Sequence, residues 1–392
     1  MQLKNLFILP SNSSPLTQSL IMLFWIVLWL SVFEMVLALV PYNPPYKYPN
    51  AAQRYLEYGR SVEGKIRRMI GQTDETTAPV TLAGWLDPQR ERWQKVPAKP
   101  ASDKGLLVAI YGMSFAQHVG WALNKITEPP VTVRFLGGPG APPNHAYATY
   151  EIDKGRHQAQ VVILGIAAGS LVGMTTFTSM NKAFEYPLPY TYPKYRRVGD
   201  QLEAFWPSVR TMDDLRRTLQ DKVLWEKYVQ EMVTEDSYYH PLLFHENVFD
   251  HLVIFRFLRR AWAKRFANNL KNRYYKVAQG FGDRNVISQG FAQDARLIDT
   301  LKLMIKEFAR QAREEGKLPI LMLFNNRGYS DHLYQALAST IAEANIPTMN
   351  SHAIAPSDDP KNIAPDNYHY SKAVNRRFAQ AIMDIILNAG IN

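Results

Sequence analysis

Apolar residues in this chain fall into one long run and a series of short ones, and the two kinds predict different things. Leu20 to Val40 is 21 residues long and carries Glu34 as its only charge. At about 1.5 Å per residue such a run reaches about 30 Å, the hydrocarbon thickness of a bilayer. It exceeds the apolar core of a cleavable secretory signal, about 7–15 residues, and lacks a clear small-x-small cleavage site. A retained single-pass anchor over residues 20–40 is therefore expected. Glu34 lies near its far end, where the carboxylate can reach the interface or meet a partner helix.

From Gly105 the pattern changes to short apolar runs alternating with stretches of helical period, the signature of a parallel sheet with crossover helices. Strands are predicted at 106–112 (LLVAIYG), 131–137 (VTVRFLG), 159–166 (AQVVILGI) and 318–324 (LPILMLF). Helices are predicted over 115–126, 144–158, 294–315, 330–345 and 371–388. Residues 171–293 do not continue the alternation, and a structureless loop of that length is implausible, so they form an insertion, helical over 211–235 and 242–278. The organisation is thus a tail (1–19), an anchor (20–40), a linker with lead-in helix (41–104) and a soluble domain (105–392). The linker opens with PYNPPYKYPN, whose four prolines favour an extended spacer. Residues 51–72 read as a basic helix near the membrane surface, and 72–104 as lead-in without strong periodicity.

Charge and cysteine content narrow the setting. The chain has no cysteine, which excludes disulfides, thiolate catalysis and cysteine-based zinc sites. Its net charge of +10 points to an anionic surface. With an anchor in the same chain, lipid headgroups are the simpler partner and nucleic acid is not expected. Lys47, Arg54 and Arg60 follow the apolar run while Lys4 precedes it, a bias toward a cytoplasmic domain. Long domains translocate largely regardless of flanking charge, and an extracytoplasmic domain is the expectation adopted. Within the insertion, 251–276 carries eight Lys/Arg and no acid, with Phe255, Leu258, Trp262, Phe266 and Leu270 on one face. That stripe is expected to pack on the core with the arginines outward; the alternative is a helix lying in the lipid interface.

Three segments carry candidate chemistry. Ser114 follows the strand ending in Gly112 and opens a helix, where unpaired N–H groups and the helix dipole favour an oxyanion; it is also a plausible N-cap. Gly137-Gly138-Pro139-Gly140 ends the next strand and either supplies a backbone donor or is a plain tight turn. Asp366-Asn367-Tyr368-His369 precedes the last helix, and a D-x-x-H turn can present an imidazole oriented by a carboxylate. His118, one turn after Ser114, reads as packed or solvated. His240, His245 and His251 have spacings unsuited to one helical face, so no metal is implied, and no cofactor either.

In order and spacing these segments resemble the SGNH/GDSL hydrolase family, over residues 105–170 and 294–392. Gly112-Met113-Ser114 matches its first block without the usual aspartate, Gly137 to Gly140 the second and Asp366 to His369 the fourth. The resemblance implies a flavodoxin-like three-layer α/β/α sandwich with a Ser114–His369–Asp366 triad and an oxyanion hole from the Ser114 and Gly140 N–H groups. It implies a serine esterase or O-acyltransferase acting on an ester-bearing small molecule, glycan or lipid, with a catalytically inactive polymer-binding protein as the alternative. The third block departs, since Ala167 stands where the family places asparagine. Asn144, Ser170 or a residue of the insertion is the suspected substitute donor, and Ala167→Asn is expected to raise turnover if none replaces it.

Overall fold

A computed structural model of the chain describes residues 14–38, 55, 57–71, 83–278, 287–291 and 296–391. At its centre lie five parallel strands: β1 (Leu106–Gly112), β2 (Val131–Gly137), β3 (Val161–Ala167), β4 (Leu318–Phe324) and β5 (Thr348–Asn350). Their spatial order is β2-β1-β3-β4-β5, with Gly112 level with Gly137, Ala167 with Phe324, and Leu323 with Asn350. β1 and β3 are buried along their whole length, as continuous apolar runs require when helices cover both faces. The order reverses between β1 and β3, and in such sheets the carboxyl ends of the strands at that point form a crevice.

An apolar helix, α1 (Pro15–Ala38), starts five residues before the expected anchor, and positions 39–40 lie outside the described residues. It is long and apolar enough to cross a membrane. α2 (Val62–Gly71) is followed by α3 (Ser114–Leu123), α4 (Pro143–Asp153), α5 (Val253–Tyr274), α6 (Arg296–Glu314), α7 (His332–Glu343) and α8 (Lys372–Asn388). On one face of the sheet, Val108, Ile110, Ile163, Ile320 and Met322 pack against Val119 of α3 and Phe378 and Ile382 of α8. On the other, Leu107, Ala109, Val162, Leu164 and Leu321 meet Tyr150 of α4 and Leu301, Ile305 and Phe308 of α6.

Several expectations need correction. The helix expected to reach Gln158 stops at Asp153, because the chain turns through Gly155 at φ +80°. β5 has only three residues, too few for a period to register. The insertion carries two antiparallel hairpins, Lys194–Val198 with Gln201–Phe205 and Tyr275–Ala278 with Ile287–Phe291, beside its helices. The lead-in is part of the core, since Val62, Ile66, Trp85, Leu86 and Trp93 are buried with the sheet residues. α2 therefore packs into the domain; positions 51–54, 56 and 72 of that segment are outside the described residues, as is the spacer 41–50.

α5 departs from its expectation in part: of its stripe Leu270 is buried and Phe255 and Phe266 are half-buried, but Leu258 and Trp262 face outward. Leu258 and Trp262 are 65% and 45% exposed, while Val253, Arg256, Arg259, Ala263 and Leu270 are buried. Arginine faces inward because acids wait there: the Arg256 guanidinium donates to Glu57 Oε1 at 2.8 Å and to the Asp250 carbonyl at 2.6 Å, and Arg259 pairs with Asp250. Ser61 Oγ donates to the same Asp250 carboxylate at 2.6 Å, tying the lead-in to the insertion. Gly59 permits this approach, because a Cβ there would stand 1.9 Å from the Arg256 carbonyl oxygen. Trp262→Ala should consequently cost less than about 1 kcal/mol in a detergent-phase thermal unfolding series, as for other exposed positions.

Candidate active site

Ser114 begins α3 directly beyond the carboxyl end of β1. Met113 occupies the cap position in extended backbone, so Ser114 is the first helical residue and its hydroxyl does not cap the helix. Instead Ser114 Oγ lies 2.8 Å from His369 Nε2. Its N–H belongs to the first turn, where no carbonyl exists four residues earlier inside the helix.

His369 comes from a loop that the strand ends hold in place. Tyr370 is buried, and its hydroxyl donates to the Asn325 carbonyl at 2.8 Å and contacts Ser351 Oγ at 3.1 Å, pinning the loop to the ends of β4 and β5. Asp366 Oδ1 accepts the N–H groups of Tyr368 and His369, both at 2.9 Å, which closes the turn. Asn367 takes φ +57° within it, a conformation asparagine tolerates. Asp366 Oδ2 is then 2.7 Å from His369 Nδ1. The hydrogen bond from His369, with those backbone donors, holds the Asp366 carboxyl down at about 2. An ionised carboxylate only accepts, so Nδ1 carries the proton and Nε2 presents its lone pair to Ser114.

The glycine loop after β2 is a turn with its carbonyls fixed from behind. Ala141 N–H donates to the Gly138 carbonyl at 3.2 Å, and Gly140 sits at φ +63°, which glycine adopts without strain. Tyr190 OH donates to the Pro139 carbonyl at 2.8 Å, and Lys182 Nζ to the Gly140 carbonyl at 2.9 Å. Both come from the insertion. Burial, and then Lys271, push the Lys182 ammonium down to about 8.

The suspected substitute donors have other partners. Asn144 is fully buried, and its Nδ2 donates to the Pro193 carbonyl at 2.9 Å. Ser170 Oγ donates back to the Ala167 carbonyl at 2.7 Å. Ala167 itself is 1% exposed and belongs to the core layer that includes Met113, Phe115 and Phe324. An asparagine there would bury an amide among apolar groups, at a cost of about 1–3 kcal/mol. Ala167→Asn is therefore expected to carry a packing cost that opposes any gain from an added donor. The side-chain amide that does reach the loop after β3 is Asn326, from the end of β4, whose Oδ1 accepts Gly169 N–H at 2.8 Å. Two successive asparagines, Asn325 and Asn326, after an apolar strand were the available signal.

His118, read from the sequence as packed or solvated, also faces the site. Its ring lies 4.6 Å from that of His369 and stacks on Trp121 at 4.8 Å. Burial, and then the neighbouring His369, hold His118 below the ordinary histidine value. Phe115 and Tyr368 rings stand 5.0 and 4.9 Å from His369, and Trp121 and Tyr368 are 58% and 52% exposed. The triad thus opens onto an aromatic rim.

His240 and His245 have structural partners: His240 Nδ1 accepts Leu242 N–H at 3.2 Å, and His245 Nε2 lies 2.8 Å from Tyr239 OH. Among the described residues no three His, Asp or Glu side chains cluster as a metal site would need. No family model, curated protein or solved structure matches this chain.

Proposed function

We propose that this protein is a membrane-anchored serine esterase or O-acyltransferase, a divergent relative of the SGNH/GDSL hydrolases, acting through a Ser114 acyl-enzyme. The observation that carries the reading is the chain of contacts from Ser114 Oγ to His369 Nε2 and from His369 Nδ1 to Asp366 Oδ2, at 2.8 and 2.7 Å. Residues separated by 255 positions meet at the carboxyl ends of parallel strands, in the polarity that general-base activation of a hydroxyl requires.

In this reading His369 takes the Ser114 proton as Oγ bonds to the acyl carbon, and the resulting oxyanion rests on the Ser114 and Gly140 N–H groups. Collapse of the tetrahedral species breaks the ester C–O bond, and the proton on Nε2 passes to the departing alkoxide. A second hydroxyl, of water or of a glycan, then gives its proton to Nε2 and attacks the acyl-enzyme, releasing Ser114. Hydrolysis and transfer differ only in that hydroxyl. The exposed rings of Trp121 and Tyr368 are placed to contact the part of the substrate next to the ester. α1 serves as the anchor, with the domain on the extracytoplasmic side, where ester-bearing glycans and lipids are found.

Asn326 is the proposed third oxyanion donor. Its Oδ1 is committed to Gly169 N–H, on the loop where the family carries its asparagine, so Nδ2 is the end turned away from that loop. Asn326→Ala should lower kcat about 10²-fold with a smaller change in KM. An unchanged kcat would remove Asn326 from the site. The function itself is tested by stopped-flow turnover of a short-chain p-nitrophenyl ester. The expected result is a burst of nitrophenolate equal to the enzyme present, followed by slower steady release. No release at all, burst or steady, would favour a polymer-binding protein without catalytic activity.

A further inference from the structure

The only charge in α1, Glu34, is neither at its end nor without partners. Its carboxylate accepts the N–H groups of Val253 and Ile254, at 2.6 and 3.0 Å, which are the first two of α5. α5 has no capping side chain of its own, because Leu252 stands at its cap position. Glu34 therefore acts as the cap from 219 residues away, satisfying donors that α5 leaves open and placing negative charge at the positive end of its dipole.

That contact sets the depth of α5. The span of 23 residues, Pro15–Leu37, is slightly longer than the roughly 20 residues that cross the hydrocarbon. Glu34 lies about one turn and a half from the end of the apolar run at Val40, so the start of α5 is held near the edge of the hydrocarbon. The residues around it suit that place. Val248, Phe249, Leu252, Leu258 and Trp262 are 76, 51, 43, 65 and 45% exposed, and the Phe249 and Phe255 rings meet at 5.3 Å. The arginines of the same stretch turn the other way, Arg256 and Arg259 into the protein and Arg260 onto Glu185. Arginines inward on acids and apolar groups outward is the arrangement of a helix whose outer solvent is lipid. Exposed Arg265, Lys271 and Arg273 follow further along α5, where phosphate groups would be met.

We propose that residues 248–262 form a second membrane-contacting element, seated in lipid beside α1, and that Glu34 is the clamp that fixes it there. The domain then rests on the bilayer in one orientation instead of swinging on a tether. This surface stands independently of the chemistry at Ser114.

The absence of cysteine makes a direct test simple. Leu252→Cys and Leu258→Cys in the full chain, each carrying an environment-sensitive fluorophore, are reconstituted in phosphatidylcholine–phosphatidylglycerol vesicles containing nitroxide-labelled acyl chains. Val27→Cys within α1 gives the quenching of a lipid-embedded position, and Val223→Cys, at a 73% exposed position of the helix Lys222–Glu235, that of a solvated one. Both test positions should be quenched toward the Val27 level. Quenching no greater than at Val223 would overturn the lipid seat. Glu34→Leu should lower quenching at Leu252→Cys while leaving Val27→Cys unchanged, and Glu34→Gln, which keeps an acceptor, should lower it less. Unaltered quenching at Leu252→Cys in Glu34→Leu would overturn the clamp.

Discussion

Ser114→Ala is expected to lower kcat for ester turnover by about 10⁴-fold or more, and His369→Ala to lower it comparably, because the two form one proton-transfer unit. The double variant should be hardly worse than either single one, a non-additivity that two independent packing defects would not produce. Asp366→Asn should cost about 10³-fold, since it loses the carboxylate that selects the tautomer of His369. Asp366 is held at about 2, so it stays ionised through the mildly acidic range and its own protonation does not limit activity there. Additive effects of tenfold or less, with unchanged folding, would make the three residues bystanders.

How the site was legible follows from where its information lies. Ser114, Gly140 and the Asp366–His369 turn each sit one to three residues beyond or before an element whose period is strong, so the sheet edge that gathers them could be read from the apolar runs. What could not be read depends on contacts between segments far apart in the chain. Arg256 and Arg259 point inward only because Glu57 and Asp250 are folded against them, and helical period alone assigns arginine to the outside. Glu34 meets the start of α5 across 219 residues, and Tyr370 meets the Asn325 carbonyl across 45. His118 was discounted because a helical histidine carries no local mark of what faces it. The proposed donor Asn326 escapes a sequence reading because the SGNH/GDSL pattern that the chain resembles has its asparagine one strand earlier, after the third strand.

The second large effect is expected at Asp250, the buried acid that joins the lead-in to α5. Its carboxylate accepts Ser61 N–H at 3.1 Å and Ser61 Oγ at 2.6 Å and pairs with Arg259, whose side chain is wholly buried. Asp250→Ala leaves that guanidinium buried without its counter-ion, and should cost about 3–5 kcal/mol. Replacing both, as Asp250→Ala with Arg259→Met, should recover much of the loss, because the uncompensated charge is gone. The pH dependence has a defined sign. Burial alone would raise the Asp250 carboxyl, but the Ser61 and Arg259 hydrogen bonds outweigh it and leave it below its ordinary value. Its contribution is therefore complete above the ordinary carboxylate range, near pH 4, and is lost as pH falls through the lower folded value. Detergent-solubilised wild type should lose stability on acidification below about pH 4, with a shallower loss in the double variant. Equal slopes would place the acid sensitivity elsewhere.

The central claim, that Ser114 is an activated nucleophile, is tested most directly by covalent capture. The full chain in detergent is treated with a fluorophosphonate, which phosphonylates a serine only where a base removes its proton and a hole receives the oxyanion. Intact-mass and peptide analysis should find one adduct per chain, on Ser114, absent in Ser114→Ala and strongly slowed in His369→Ala. An unmodified chain, or an adduct on another serine that persists in Ser114→Ala, would contradict it.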